Sequence, residues 1–390
     1  MREIAIVTVG RSDFGIYTPL LRAIRSHPEL HLKLLVSGMH LSPEFGLTVK
    51  EIEAAGFEVF EKVESLLSSD TAAGVAQSIG LGVLSFAQLF SRYRPDIMLL
   101  LGDRFDMLPA GLAALPFKIP IGHIHGGEST EGAMDESIRH CLTKLSHLHF
   151  PSTQVYADRI VQMGEEPWRV TVAGALALDA IRAAKLEAPA ETARLFGFSL
   201  DEPSALVTFH PETLAYEHTE AHVANLLGAL DKLGIQAVFT SPNSDMGGRL
   251  VRERIERFCA SRTRCSFVPN VGQQDYFSLM NTVSVMIGNS SSGIIEAASF
   301  RLPVVNIGRR QAGRLRAGNV IDSGYEVHEI VASVDKGLSP EFHKSLNGLV
   351  NPYGDGHAAE RIIQRLAMVA LGEELISKHF VDHPATTSGG

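Results

Sequence analysis

Short β-branched and aliphatic runs recur along the chain, each followed by a longer segment with helical spacing: Ile4 to Val9, Leu32 to Val36, Ile97 to Leu101, Ile119 to Ile124 and Val170 to Val172. This alternation predicts βαβ units, whose parallel strands are covered by helices on both faces and therefore lack a polar side. A second series starts at Ala205 to Phe209 and continues through Gln236 to Phe239, Cys265 to Val268, Val283 to Ile287 and Pro303 to Ile307, with helical spacing between, as over Val251 to Phe258. Two doubly wound α/β halves are expected. The break falls in the Ala-rich stretch Leu176 to Pro203, giving a first domain over 1–180 and a second over 200–356. The amphipathic stretch Ala358 to Leu371 predicts a helix, within a segment 357–384 that packs back on the first domain. The small, polar tail Ala385 to Gly390 is expected to be mobile.

Composition narrows the class. A chain of 390 residues exceeds what one core usually supports, and 45% hydrophobic with 20% charged residues is globular. A net charge of -9 argues against a broad nucleic-acid or anionic-membrane surface, yet it leaves room for a local pocket of arginines and backbone amides. The start, Met1-Arg2-Glu3 followed directly by Ile4, lacks the pattern of a signal peptide, and the longest apolar runs read as too short to span a bilayer. Three cysteines without a Cys-x-x-Cys pair predict neither a disulfide framework nor a zinc knuckle. The expected compartment is the cytoplasm.

In an open α/β sheet, loops at the carboxyl ends of strands form the ligand crevice, so motifs there carry the chemistry. Gly10 to Gly15, holding Arg11, is a turn opening a helix; it serves either as an anion site or as a plain tight turn. Gly288-Asn289-Ser290-Ser291-Ser292-Gly293 precedes a helix candidate, Ile294 to Phe300. Free N–H groups, the helix dipole and three hydroxyls there favour a phosphate, where capping alone needs one serine. Glu296 is placed to accept from a ribose diol, and Arg309, Arg310, Arg314 and Arg316 include candidates for neutralising a diphosphate. Asp103 and Arg104 end one strand. His123 and His125 share one face of the next strand's end, ahead of Glu128, and read as hydrogen-bonding or acid–base groups rather than metal ligands. Asp135 stands four residues before Arg139 on a helix, and His210, held extended by Pro211, ends the first strand of the second half.

Five of these motifs, in order, resemble those of the hydrolysing UDP-N-acetylglucosamine 2-epimerases: Gly102 to Phe105, His125 to Glu128, Asp135 to His140, Phe209 to Glu212 and Gly288 to Ser291. The resemblance implies two Rossmann-like domains of glycosyltransferase-B type with the active site in the interdomain cleft. It also implies conversion of UDP-N-acetylglucosamine and water to N-acetylmannosamine and UDP through a 2-acetamidoglucal, for nonulosonic acid synthesis. No cofactor and no metal are implied, the partner is a UDP-sugar, and a homo-oligomer, dimer or tetramer, is expected. Carried over, Asp103, His125, Glu128, Asp135 and His210 are the catalytic candidates. Arg11, Arg104, Ser290, Ser291, Glu296 and Arg310 are the nucleotide-binding ones. One residue departs from the family's sialic-acid enzymes, which carry glutamate in His-Ile-Glu-Gly-Gly-Glu where this chain has His125. Either His125 substitutes, or Glu128 takes the role, or the substrate differs, as for UDP- or GDP-linked 2,4-diacetamido-2,4,6-trideoxy sugars. A glycosyltransferase of the same fold and a non-enzymatic sugar-nucleotide-binding regulator are the competing classes.

Overall fold

The computed structural model describes residues 1–69, 71–131, 133–212, 215–242, 247–269 and 271–382. The tail from Ala385 to Gly390 lies outside them. Twelve strands among these residues form two sheets, each of six parallel strands. The first holds β1 (Arg2–Thr8), β2 (Leu30–Ser37), β3 (Val59–Val63), β4 (Ile97–Leu101), β5 (Ile121–Ile124) and β6 (Leu148–Phe150), in the order β3-β2-β1-β4-β5-β6. The second holds β7 (Ser204–Thr208), β8 (Gln236–Thr240), β9 (Cys265–Val268), β10 (Val285–Gly288), β11 (Val304–Ile307) and β12 (Val320–Ser323), in the order β12-β11-β10-β7-β8-β9. Both orders are the same doubly wound pattern, reversing direction at β1/β4 and at β7/β10. A crevice opens at such a reversal.

The central strands carry buried apolar runs, as β4 (Ile-Met-Leu-Leu-Leu) and the middle of β7 (Ala-Leu-Val) illustrate. Strands β3, β6 and β12, all at sheet edges, escape the sequence pattern: β3 and β12 are mostly half-buried with a polar residue or two inside, and β6 has three residues with His149 at its centre. The strand expected at Val170 to Val172 is absent; only an isolated bridge pairs Val170 with His149.

The chain divides into two compact units, one comprising Met1–Glu128, Asp135–Ala180 and Tyr353 onward, the other Ser129–Met134 and Ile181–Pro352. The short segment Ser129–Met134 groups with the second unit, which an uninterrupted domain over 1–180 does not allow for. Main-chain bonds explain it: Glu131 N–H donates to Ala312 O and Arg314 Nε to Ser129 O. In the first unit, helix Ala358–Met368 places Ile362 and Leu366 in the core, and Asp179 accepts from the N–H groups of Ala358 and Ala359 at 2.9 Å each.

Helix Ala72–Arg92, 21 residues with an 18-residue window of mean hydropathy 1.4, is long and apolar enough to cross a membrane by length and composition only, as core helices also are. Its apolarity is spread over small residues and so forms no continuous aliphatic run. Gly82 lets it pack closely on helix Leu108–Ala114, since a Cβ there would lie 2.8 Å from Pro109.

Beyond that helix core, a buried ion cluster fastens the chain's last described residues to the first unit. Glu165 accepts from Lys144 Nζ (2.5 Å), Lys378 Nζ (2.7 Å) and His149 Nε2 (3.0 Å), while Arg169 donates to the carbonyls of His147, Glu374, Leu375 and Ser377. Burial would raise the Glu165 pKa, but its three hydrogen-bond partners outweigh that and hold it at about 2. A depressed carboxylate pKa contributes stability above its unfolded value near 4.5, lost as pH falls toward about 2. Glu165→Gln is therefore expected to be less stable than the parent at pH 7, with the gap narrowing between pH 4.5 and 2, as followed by urea unfolding across that range.

Candidate active site

Arg11, Asp103 and Arg104 follow β1 and β4, the strands flanking the first unit's reversal. Beside them, the chain leaves β5 at Ile124, and His125 N–H continues the ladder by donating to Phe150 O. His125 then adopts φ 63, a left-handed conformation costly for a residue with a Cβ. The period of two therefore stops at Ile124 and does not aim His125, contrary to the shared face expected for the two histidines. Its direction is set by Nδ1, which lies 2.5 Å from Glu128 Oε1. The turn needs Gly127 at φ 75, where a Cβ would run into Tyr156 O. His123 is fully buried between Gly102 O (2.7 Å) and Thr143 Oγ1 (3.1 Å), and burial pushes its pKa down to about 3. It is a neutral structural ring.

Arg139 joins the cluster. Its side chain is 1% exposed and donates through Nη2 to Asp103, and through Nη1 to His125 O (3.2 Å) and Glu128 Oε2 (3.5 Å). Glu128, itself 1% exposed, also accepts from Ser152 Oγ at 2.9 Å. Two carboxylates thus share one guanidinium, and the Nδ1 of His125 is turned to one of them. Asp135 begins helix Asp135–Leu145, one turn before Arg139 on the same face. Arg104 is gripped in a fork by buried Asp106 (3.0 and 3.1 Å), and Arg11, which opens helix Arg11–Ser26, lies 3.5 Å from Glu51. The structure thus joins Asp103, His125 and Glu128 into one hydrogen-bonded group, and ties the two arginines to other carboxylates.

In the second unit, His210 lies two residues beyond β7 and Ser290 two beyond β10, again at the reversal. Ser290 caps helix Ser291–Ile295, accepting from Ser292 N–H at 3.3 Å. That helix has five residues before the chain tightens to a 3-10 turn at Ala297–Phe300, so the longer helix expected from Ile294 to Phe300 is corrected. Glu296 is buried where the two turns meet. Tyr276, not singled out by the sequence pattern, brings its hydroxyl among Thr208, Ser290 and Ser292, and burial pushes its pKa up to about 12. Of the four arginines after β11, Arg310 and Arg314 turn inward, each 8% exposed, while Arg309 is exposed and Arg316 pairs with Asp322. Glu212 accepts from Arg309 N–H (2.7 Å) and from Tyr325 Oη, so the His210 loop and the arginine loop are joined.

Arg139 was legible only as part of a charged helix. The signal for its burial is its place between Ile138 and Leu142, on the helix face that packs inward.

Residues 22–367 match the family described as UDP-N-acetylglucosamine 2-epimerase. The chain belongs to this family. It is 37% identical over 383 residues to a GDP/UDP-N,N'-diacetylbacillosamine 2-epimerase (hydrolyzing) of Campylobacter jejuni, covering 98% of this chain and 99% of that one. It is 35% identical over 378 residues to a UDP-N,N'-diacetylbacillosamine 2-epimerase (hydrolyzing) of Legionella pneumophila, covering 97% and 99%. The crystal structure of UDP-GlcNAc 2-epimerase from Neisseria meningitidis bound to UDP-GlcNAc shares its fold, with a TM-score of 0.80 at 19% identity over 93% of this chain and 99% of that one. Two Rossmann-like units of glycosyltransferase-B type are thus the architecture of this epimerase-family chain.

Arg139→Met in this epimerase-family chain leaves two mutually repelling carboxylates without their cation. Urea unfolding is expected to show a loss of about 3–5 kcal/mol, the cost of breaking a buried ion pair from one side.

Proposed function

We propose that the protein is a hydrolysing 2-epimerase whose substrate is a nucleoside-diphosphate-linked 2,4-diacetamido-2,4,6-trideoxy sugar. The observation that carries this reading is the Asp103–Arg139–Glu128–His125 group at strand ends, built on the buried Arg139 and Glu128, in a chain whose full-length relatives are named for diacetylbacillosamine. A base removes the proton at C2 as the C1–O bond to the diphosphate breaks, forming a 2-acetamidoglucal and releasing the nucleoside diphosphate. Water then adds to C1, and a proton is returned to C2 on the opposite face. Two proton transfers on opposite faces call for two sets of acid–base groups, and the first unit offers His125 Nε2 with Glu128 behind it, and Asp103 with Asp135. His210, Ser290, Ser291 and Arg310 are the groups suited to the departing diphosphate, with Arg11 and Arg104 as further cations and Glu296 for the ribose. The sugar-nucleotide supplies its own leaving group, so the reading calls for no cofactor.

UDP-N-acetylglucosamine is the second reading, favoured by the family's description. His125, standing where the family's sialic-acid enzymes have glutamate, favours the diacetamido sugar. The reading places the enzyme in the cytoplasm, where nucleotide sugars are made.

Incubation in heavy water with UDP- and GDP-linked 2,4-diacetamido-2,4,6-trideoxyglucose and with UDP-N-acetylglucosamine, followed by proton spectra, tests this directly. The expected result is free 2-epimerised sugar carrying one deuterium at C2, formed fastest from a diacetamido substrate. Product without deuterium at C2 contradicts the mechanism, and turnover of UDP-N-acetylglucosamine alone contradicts the substrate. His125→Ala is expected to lower kcat by roughly 100-fold or more, the range for a lost acid–base group.

A further inference from the structure

The second unit contains a residue that touches neither sugar nor phosphate in the reading above, yet meets two of the loops that do. Asn289 stands one residue beyond β10 and is fully buried. Its Oδ1 accepts from His210 N–H at 2.7 Å, and its Nδ2 donates to His210 O at 2.8 Å. Its own carbonyl accepts from Arg310 Nη1 (3.2 Å) and Gln311 Nε2 (2.9 Å), and its N–H donates to Thr208 O (3.1 Å).

Physical chemistry explains why an asparagine is needed. β7 ends at Thr208, so the buried main chain of His210 has left the ladder, and Pro211 after it provides no N–H. A residue presenting both its N–H and its C=O to one side is met by a side chain with an acceptor and a donor on one planar group. Aspartate supplies the acceptor alone. The preceding Gly288, at φ 136, has Thr208 O where a Cβ would stand, so the two strand ends come close enough for the short Asn289 side chain to reach.

We infer that Asn289 is a positioning residue, which holds His210 and Arg310 in one geometry so that both meet the diphosphate as it gathers negative charge. This rests on the reading of the site as an epimerase. The Asn289 side chain holds the His210 loop and its carbonyl the arginine loop, so loosening the side chain is expected to disturb His210 directly and Arg310 through the shared backbone.

The test is a double-mutant cycle with Asn289→Ala, His210→Ala and the double variant, read as kcat and KM for the best substrate of the panel above and as UDP affinity by calorimetry. Asn289→Ala is expected to lower kcat/KM by about 10- to 100-fold, as displacement of a group by a fraction of an ångström to 1 Å does. The double variant is expected to fall within about 3-fold of the worse single variant, since residues acting as a unit are non-additive. Losses that multiply, or an Asn289→Ala protein with unchanged kinetics, overturn the inference. If Asn289→Ala does not fold, Asn289→Asp, of nearly the same size and lacking only the donor to His210 O, takes its place in the cycle with the same non-additivity expected. Should the parent bind UDP but turn over none of the panel, the epimerase reading fails alone; non-additive UDP affinities then still support Asn289 as the residue that positions His210, and additive ones refute it.

Discussion

One buried guanidinium organises the first unit's chemistry. Arg139 holds Asp103, Glu128 and the His125 carbonyl at once, and each of these three comes from a different place in the chain: the end of β4, the glycine turn after β5, and that turn's first residue. Without the cation, two carboxylates at close quarters in a dry setting would not both stay ionised. With it, they share a fixed charge, and Glu128 is free to orient the His125 ring. The left-handed backbone at His125 belongs to the same arrangement. A strained residue persists only where its surroundings over-determine it, and here the glycine turn, the Glu128 bond and Arg139 all act on it.

The second unit solves a related problem with neutral groups. Its strand order repeats that of the first, so β7 and β10 stand where β1 and β4 do, and their loops open at the equivalent reversal. Close approach of the two strand ends at Gly288 creates buried peptide groups that need partners, and the amide of Asn289 provides them. The carboxylate candidates Asp103, Glu128 and Asp135 lie in one unit, and the serines with Arg310 lie in the other. Paired carboxylates suit proton transfer at carbon, and inward-turned arginines with serine hydroxyls suit a diphosphate.

Much of this was legible along the chain because inner parallel strands are continuous apolar runs. β4, an inner strand, falls on the residues expected, as does β9 at a sheet edge, and the motifs after β1, β4, β7 and β10 lie at the two reversals. The edge strands β3, β6 and β12 were not legible, since short or partly exposed segments such as these carry no unbroken apolar run. Nor was Val170 to Val172, whose β-branched residues meet no strand partner beyond a single bridge. In the sites, residue types were readable and residue couplings were not. Arg139 looked like one charge on a polar helix, and Asn289 like a spacer before serines, because their partners lie far away in sequence. His125 was read by a strand's alternation, which its positive φ ends.

In the proposed reaction the bonds change at the sugar, by elimination across C1 and C2, and not at phosphorus. Turnover of a UDP-linked 2,4-diacetamido-2,4,6-trideoxyglucose in water labelled with oxygen-18 tests this most directly, through phosphorus spectra of the UDP released. The account predicts UDP free of label, because the C1–O bond breaks and the bridging oxygen leaves with the diphosphate. Label on the β-phosphorus of UDP would contradict it.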